Sequence, residues 1–122
     1  MPGWRCGYML ASKEFCIEAA KIHQYMIVAL NTFLQDAMIK ALDYDPTDMV
    51  KSYQQRRDYI YDRLVKMGLD VVKPEGAFYI FPSIKKLGIS SLEFCKHFAQ
   101  EYKVAIIPGY CFEADDYIRL SY

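Results

Sequence analysis

Two arginines are the residues of this sequence best suited to binding an anionic ligand. Arg119 lies between Ile118 and Leu120, and an arginine in a strand core requires a partner because an unpaired guanidinium is costly to bury. A ligand carboxylate held by two parallel hydrogen bonds would supply that partner. Arg5 carries the same planar fork of donors, which suits a phosphate. The alternatives are a solvated edge-strand position for Arg119 and a surface or ion-pair position for Arg5.

Motifs for metal binding and nucleophilic catalysis are absent from the sequence. The four cysteines, at positions 6, 16, 95 and 111, form no Cys-X-X-Cys pair, and the two histidines, at 23 and 97, are far apart. No metal site is predicted, and reduced thiols are expected. The sequence also lacks a glycine-rich phosphate loop, a Gly-X-Ser-X-Gly elbow and a His-Glu-X-X-His helix.

The composition favours a folded chain that binds small molecules or proteins. The chain has 122 residues, 53% of them hydrophobic and 16% aromatic, which is enough for a sizeable core. The aromatic excess fits a self-contained domain, or a piece of a larger protein whose missing partners would cover it. The 15 basic and 15 acidic residues balance, which argues against nucleic acid or an anionic membrane as a partner.

The sequence predicts no membrane-spanning segment. Its longest apolar stretch, residues 26–30, is far shorter than the ~20 residues that a span requires. No charged-then-apolar signal peptide opens the chain. A cytoplasmic location is therefore expected.

The first 43 residues predict one strand and two helices. The apolar run over residues 4–11 is typical of a buried strand. Ser12 can cap the helix that follows, in which apolar residues recur at helical spacing from Phe15 to Met26. A second helix is predicted over residues 32–42. These elements are too few to form a core of their own.

A long helix and a hairpin are predicted next. Asp45 as N-cap and Pro46 at the first helical position indicate a helix start, and Gly68 is a natural end. Residues 69–73 and 77–82 read as two short strands, and the Pro-Glu-Gly turn between them makes a hairpin plausible.

The last third of the chain completes an α+β layer. Ser90 and Glu93 form a capping-box pattern at the start of another helix. Strands are predicted over residues 104–107 and 116–122. Side chains alternate between the two faces of a strand, so Arg119 shares one face of the second strand with Tyr117 and Ser121. The predicted fold class is α/β, with a two-layer α+β arrangement from residue 44 onward.

An ordered series of motifs resembles a known enzyme family over essentially the whole chain. The motifs are Gly-Trp-Arg and Gly-Tyr within residues 3–8, His-Gln-Tyr at 23–25, Asn-Thr at 31–32 with Gln35, Arg-Arg-Asp at 56–58, Lys-Pro-Glu-Gly-Ala-Phe-Tyr at 73–79, Ile-Pro-Gly at 107–109 and Tyr-Ile-Arg-Leu-Ser-Tyr at 117–122. In this order and spacing they resemble the fold-type I pyridoxal-phosphate aminotransferases of the aspartate and aromatic amino acid group.

The resemblance implies a division into two parts. Residues 1–43 match the C-terminal remnant of a large domain that binds pyridoxal phosphate. Residues 44–122 match a small C-terminal α+β domain that lacks its last helix. The implied parent protein is a homodimer that transfers an amino group between an amino acid, possibly an aromatic one, and a 2-oxo acid.

The resemblance also implies roles for individual residues. Arg5 matches the arginine that pairs with the cofactor phosphate, and Arg119 matches the arginine that grips the substrate α-carboxylate. Phe78 matches a position near the substrate pocket, with core packing as the alternative. Asn31 and Thr32 match a loop near the cofactor phosphate, although helix capping would explain them equally well.

The resemblance places the Schiff-base lysine upstream of Met1, so no catalytic residue is expected within the chain. The 122 residues alone are therefore expected to be inactive. The loop at residues 112–116 departs from the family pattern, which usually has glycine after the phenylalanine. The alternative function is a non-enzymatic α+β module that binds a ligand or forms dimers.

Overall fold

The computed structural model describes residues 2–122 and contains two compact units. One unit ends at Asp45, and the other is Pro46–Tyr122. Within the described residues, no helix combines the length and the apolar character needed to cross a bilayer. The helices and the small antiparallel sheet confirm the predicted fold class.

The first unit consists of two helices that follow a 3-10 turn at Pro2–Trp4. Helix α1 is Lys13–Met26, and the Ser12 hydroxyl caps it by accepting a hydrogen bond from the Phe15 N–H. Helix α2 is Thr32–Ala41. No side chain among residues 3–45 is buried, as expected for elements too few to form a core.

The predicted strand over residues 4–11 is wrong. Its first residue belongs to the 3-10 turn, and residues 6–12 adopt no regular secondary structure. A strand is stable only when a neighbouring strand satisfies its backbone groups. The described part of this unit contains no strand that could do so.

The second unit begins with the long helix α3, Thr47–Lys66. The helix starts one residue later than predicted, because Pro46 occupies the N-cap position and not the first helical position. Gly68 adopts a φ of 79°, as a helix-ending glycine does.

A three-stranded antiparallel sheet follows, with the strand order β1-β3-β2. Strand β1 is Tyr79–Ile80, β2 is Ile107–Pro108 and β3 is Ile118–Ser121. Helix α4, Ser91–His97, lies between β1 and β2 in sequence and continues into a π-helical turn at Phe98–Tyr102. Ser90 caps α4 as predicted.

The predicted hairpin between residues 69–73 and 77–82 is wrong, because β1 pairs with β3 instead. Residues 69–73 form no strand. Pro74 has no N–H for a ladder, and Ala77, not the glycine before it, takes a left-handed φ of 61°. The segments before and after this turn therefore do not pair with each other as strands.

Of the strand predicted at residues 104–107, only Ile107 lies in a strand, because β2 is Ile107–Pro108. The Val104 N–H is engaged in closing the preceding helical segment, since it donates to the Phe98 carbonyl at 3.3 Å. Below the sheet, the core of the unit is formed by Ile84, Cys95 and Ile118.

Candidate functional site

Arg119 lies on β3, the central strand of the sheet, with two aromatic rings against its guanidinium group. The guanidinium carbon is 4.4 Å from the centroid of the Tyr79 ring and 4.8 Å from that of Phe112. Both distances are typical of cation–π contacts. The solvated edge-strand alternative therefore does not describe the position of Arg119.

The charge of Arg119 is not neutralised by the residues that the structure describes. Its Nε is buried and has no hydrogen-bond partner there, and none of the ion pairs formed within residues 2–122 includes it. A buried donor without an acceptor costs free energy, which the two aromatic rings offset in part. Arg119 is thus a partly buried cation that can accept an anionic ligand.

The loop that carries Phe112 is fixed by a close backbone approach at Gly109. The Gly109 N–H donates to the Tyr117 carbonyl at 2.9 Å, and the Ala114 N–H donates to the Gly109 carbonyl at 3.0 Å. A Cβ at position 109 would collide with the Ala114 and Tyr117 carbonyl oxygens. Glycine at this position therefore sets the path of the 3-10 turn Gly109–Phe112.

Phe78 lines a cavity of about 310 Å³ between α3 and the segment before β1. The aromatic rings of Tyr53 and Tyr122 share this lining, and Arg57 contributes its polar part. Arg119 is not among the lining residues. The Tyr79 ring connects the two sites, because its centroid is 4.3 Å from that of Phe78 and its face contacts Arg119.

Arg57 is engaged in a local ion-pair cluster and is a poor candidate for binding an anion. Its guanidinium is 2.9 Å from the Asp58 carboxylate, which also contacts the Lys73 ammonium at 2.8 Å. Hydrogen bonds from Lys73 and Arg57 lower the pKa of Asp58 below its ordinary value. The cluster joins α3 to the segment that leads to β1.

The first unit contains the other predicted site residues, Arg5, Asn31 and Thr32. All three are exposed. Arg5 follows the 3-10 turn with a left-handed φ of 56°, a conformation that is uncommon for a residue with a Cβ. Asn31 occupies the N-cap position of α2 but its side chain makes no capping hydrogen bond. The capping alternative therefore does not account for the Asn31 side chain.

Comparison with known protein families decides what the chain is related to. The family model described as aminotransferase class I and II matches residues 1–122. The chain belongs to this family. The resemblance inferred from the motifs is thereby confirmed.

Individual aminotransferases are similar to the whole chain. It is 43% identical to the probable N-acetyl-LL-diaminopimelate aminotransferase of Bacillus subtilis and 39% identical to the aromatic-amino-acid aminotransferase 2 of Thermococcus litoralis. The crystal structure of the aspartate aminotransferase of Thermotoga maritima superimposes with a TM-score of 0.89 at 37% identity. All three matches cover 100% of this chain, but only 32%, 33% and 32% of the respective relatives. The chain thus spans about a third of their length.

Aminotransferases of this family depend on pyridoxal phosphate, and the residues predicted for its phosphate carry suitable chemical groups. The donor set is a guanidinium at Arg5, an amide at Asn31 and a hydroxyl at Thr32, and groups of these kinds bind phosphate oxygens. No lysine precedes Arg5 in the sequence.

The sequence indicated Arg119 but missed the two rings that flank it. Tyr79 is adjacent to the predicted site residue Phe78. Its pairing with Ser121 on β3 depends on β1 and β3 being neighbours, which no local pattern in the sequence indicates. Phe112 lies in the loop that departs from the family pattern. No local signal in the sequence links that loop to Arg119.

Proposed function

We propose that this chain contributes two ligand-binding arginines to a pyridoxal-phosphate aminotransferase. The reaction is transfer of an amino group between an amino acid and a 2-oxo acid. The observation that carries the proposal is the state of Arg119, a partly buried cation without a counter-ion among the described residues. This arginine lies in a chain whose residues 1–122 all match an aminotransferase family.

Arg119 binds the α-carboxylate of the amino acid. Its planar fork can donate two parallel hydrogen bonds to a carboxylate, and this fixes the direction of the bound molecule as well as its position. Correct orientation of the Cα–H bond accelerates the reaction, since small displacements of a substrate reduce the rate strongly. Pyridoxal phosphate supplies the electron sink when bound.

Arg5, Asn31 and Thr32 hold the cofactor phosphate in this proposal. Arg5 provides the permanent charge, and the amide and hydroxyl add neutral donors. We assign residues 1–43 to the large cofactor-binding domain and residues 44–122 to the small domain. A homodimer in the cytoplasm is the setting proposed for the complete enzyme.

Phe78 is proposed to face the side chain of the substrate. The aromatic lining of the adjacent cavity, which includes Tyr53 and Tyr122, favours an apolar or aromatic group there. The names of the relatives include aspartate, aromatic amino acid and N-acetyl-LL-diaminopimelate aminotransferases. An aromatic amino acid is the substrate that the Phe78 cavity supports best.

A chimeric enzyme tests this function. The 122 residues replace the matching third of the Thermotoga maritima aspartate aminotransferase, and steady-state kinetics are measured with aspartate and with phenylalanine. The chimera is expected to transaminate. Arg119→Lys in the chimera is expected to lower kcat/KM by about a hundredfold, because an ammonium lacks the fork that orients the carboxylate.

The matched control is Arg56→Lys. Arg56 also contacts a ring, with 5.5 Å between its guanidinium carbon and the Tyr53 centroid, but it is exposed on α3. This control is expected to keep the activity of the unmodified chimera. Equal activity of the Arg119→Lys variant would overturn the role of Arg119. A folded chimera without turnover would favour the non-enzymatic module.

A further inference from the structure

We propose that Tyr79 and Phe112 are positioning residues that hold the Arg119 guanidinium for a carboxylate without neutralising it. This inference rests on the carboxylate-binding role proposed above for Arg119. Its basis is the pair of ring contacts, 4.4 Å and 4.8 Å from the guanidinium carbon.

The electrostatics explain why rings serve this purpose better than a counter-ion would. A buried guanidinium requires compensation for the water it loses. A carboxylate would supply that compensation but would also occupy the hydrogen-bond donors that a ligand needs. An aromatic ring attracts the cation through its quadrupole and leaves the net charge in place. Arg119 therefore remains electrostatically attractive to an anion.

Phe112 is held firmly enough to act in this way. Its turn begins at Gly109, whose backbone hydrogen bonds are described above. Beyond the turn, the Asp115 carboxylate accepts hydrogen bonds from the Ser91 N–H at 3.0 Å and from the Ser91 hydroxyl at 2.5 Å. The Ser91 hydroxyl in turn accepts from the Tyr110 N–H at 3.1 Å. Because Ser91 is completely buried, this network anchors the loop to the start of α4.

Further ring contacts fix both aromatic side chains from the side. The Phe112 ring meets the Phe81 ring edge to face at a centroid distance of 5.9 Å, and Phe81 stacks on Tyr117 at 5.2 Å. The Tyr79 ring lies against that of Phe78. Aromatic pairs at such distances add to the energy of simple burial. Arg119 is thus flanked by rings that have their own packing partners.

The experiment uses the full 122-residue chain, labelled with nitrogen-15 in its arginine side chains. The Arg119 Nε–H signal is followed by NMR during titration with pyruvate, and sodium chloride at equal ionic strength serves as the control for screening. Arg119→Lys identifies the signal. In the unmodified chain, we expect the chemical shift of the Arg119 Nε–H to change saturably as pyruvate is added. We also expect this buried Nε–H to exchange slowly with solvent hydrogen.

Three substitutions distinguish positioning from simple packing. Phe112→Leu and Tyr79→Leu keep an apolar side chain but remove the ring, and they are expected to weaken pyruvate binding about fivefold or more and to accelerate Nε–H exchange. Phe112→Tyr keeps a ring, and it is expected to retain both the pyruvate affinity and the slow Nε–H exchange of the unmodified chain. Backbone amide spectra show whether each variant is folded.

The outcomes separate this inference from the proposed function. If the unmodified chain shows no pyruvate shift at Arg119, the carboxylate-binding role fails and the inference fails with it. If that shift is present and equal in Phe112→Leu and Tyr79→Leu, the positioning role alone is overturned. A variant Phe112→Glu gives a further check, because an added carboxylate is expected to abolish pyruvate binding while the chain stays folded. Unchanged binding in that variant would also contradict the inference.

Discussion

Gly109 shows how strongly one residue can determine the geometry around Arg119. It is buried where the chain turns from β2 into the loop that carries Phe112. The surrounding carbonyl oxygens leave no room for a Cβ. The absence of a side chain at this residue is therefore required for the position of a ring three residues later.

Gly109→Ala is expected to destabilise the Pro46–Tyr122 unit by about 1–3 kcal/mol, since the added methyl group must displace backbone atoms. Urea unfolding followed by circular dichroism measures the change. Gly76→Ala is the control, because a Cβ there meets no atom within 4 Å and its φ is not left-handed. Equal stability of the Gly109→Ala variant and the unmodified chain would show that the loop relaxes without cost.

Helix ends were predictable because the residues that set them act locally. Ser12 and Ser90 cap helices at the predicted positions, and Gly68 ends α3. Strands were not predictable in the same way, because a strand depends on a partner distant in sequence. Residues 69–73 have the composition of a strand, but β3 rather than this segment pairs with β1.

The segment that failed to form a strand is joined to helix α3 by an ion pair that depends on pH. The hydrogen bonds from Lys73 and Arg57 lower the pKa of Asp58 in the folded chain. The folded state therefore favours the ionised carboxylate, and this contribution to stability is present above the unfolded pKa, about 4. It is lost as the pH falls through the lower folded value.

Asp58→Asn is expected to reduce the acid sensitivity of unfolding. The free energy of unfolding, measured by urea titration at several pH values from neutral down to about 2, should fall less steeply below about pH 4 than in the unmodified chain. Asp62→Asn, an exposed change on the same helix, controls for the loss of one negative charge. Identical pH profiles for the two variants would contradict the role of the ion pair.

The candidate site could be predicted in part. The position of Arg119 in a strand followed from alternation along the sequence, and its expected ligand followed from guanidinium chemistry. The flanking rings could not be predicted, because Phe112 reaches Arg119 only through the tertiary path set by Gly109 and Asp115. No local sequence pattern indicates contacts that depend on the tertiary path of the chain.

At the scale of the whole molecule, the two units differ in how their side chains are buried. In the first unit, none of residues 3–45 is buried. The second has a core that includes Ile84, which is fully buried, and Ile118, which is 3% exposed. Apolar side chains of the first unit, such as Tyr8, Leu10 and Tyr25, are largely exposed. Such surfaces are typical of contacts with other polypeptide segments.

The 122-residue chain by itself is expected not to transaminate. The motif resemblance predicts the covalent anchor of the cofactor, a lysine, before Gly3-Trp4-Arg5, and no lysine stands before these residues in the given sequence. The chain is incubated with pyridoxal phosphate, reduced with borohydride and mapped by mass spectrometry. We expect scattered, substoichiometric lysine labels and no amino transfer, and the chimera described above serves as the positive control. A single stoichiometric lysine adduct accompanied by turnover would refute this expectation.

Trp4, in the 3-10 turn that opens the described chain, is its single tryptophan. The eleven tyrosines are divided between both units. Fluorescence excited at the red edge of the indole band therefore reports on the first unit alone, and Trp4, which is 56% exposed, should emit at a wavelength close to that of indole in water. A blue shift on addition of another polypeptide would show that the surface around Trp4 has been covered, with no label introduced into the protein.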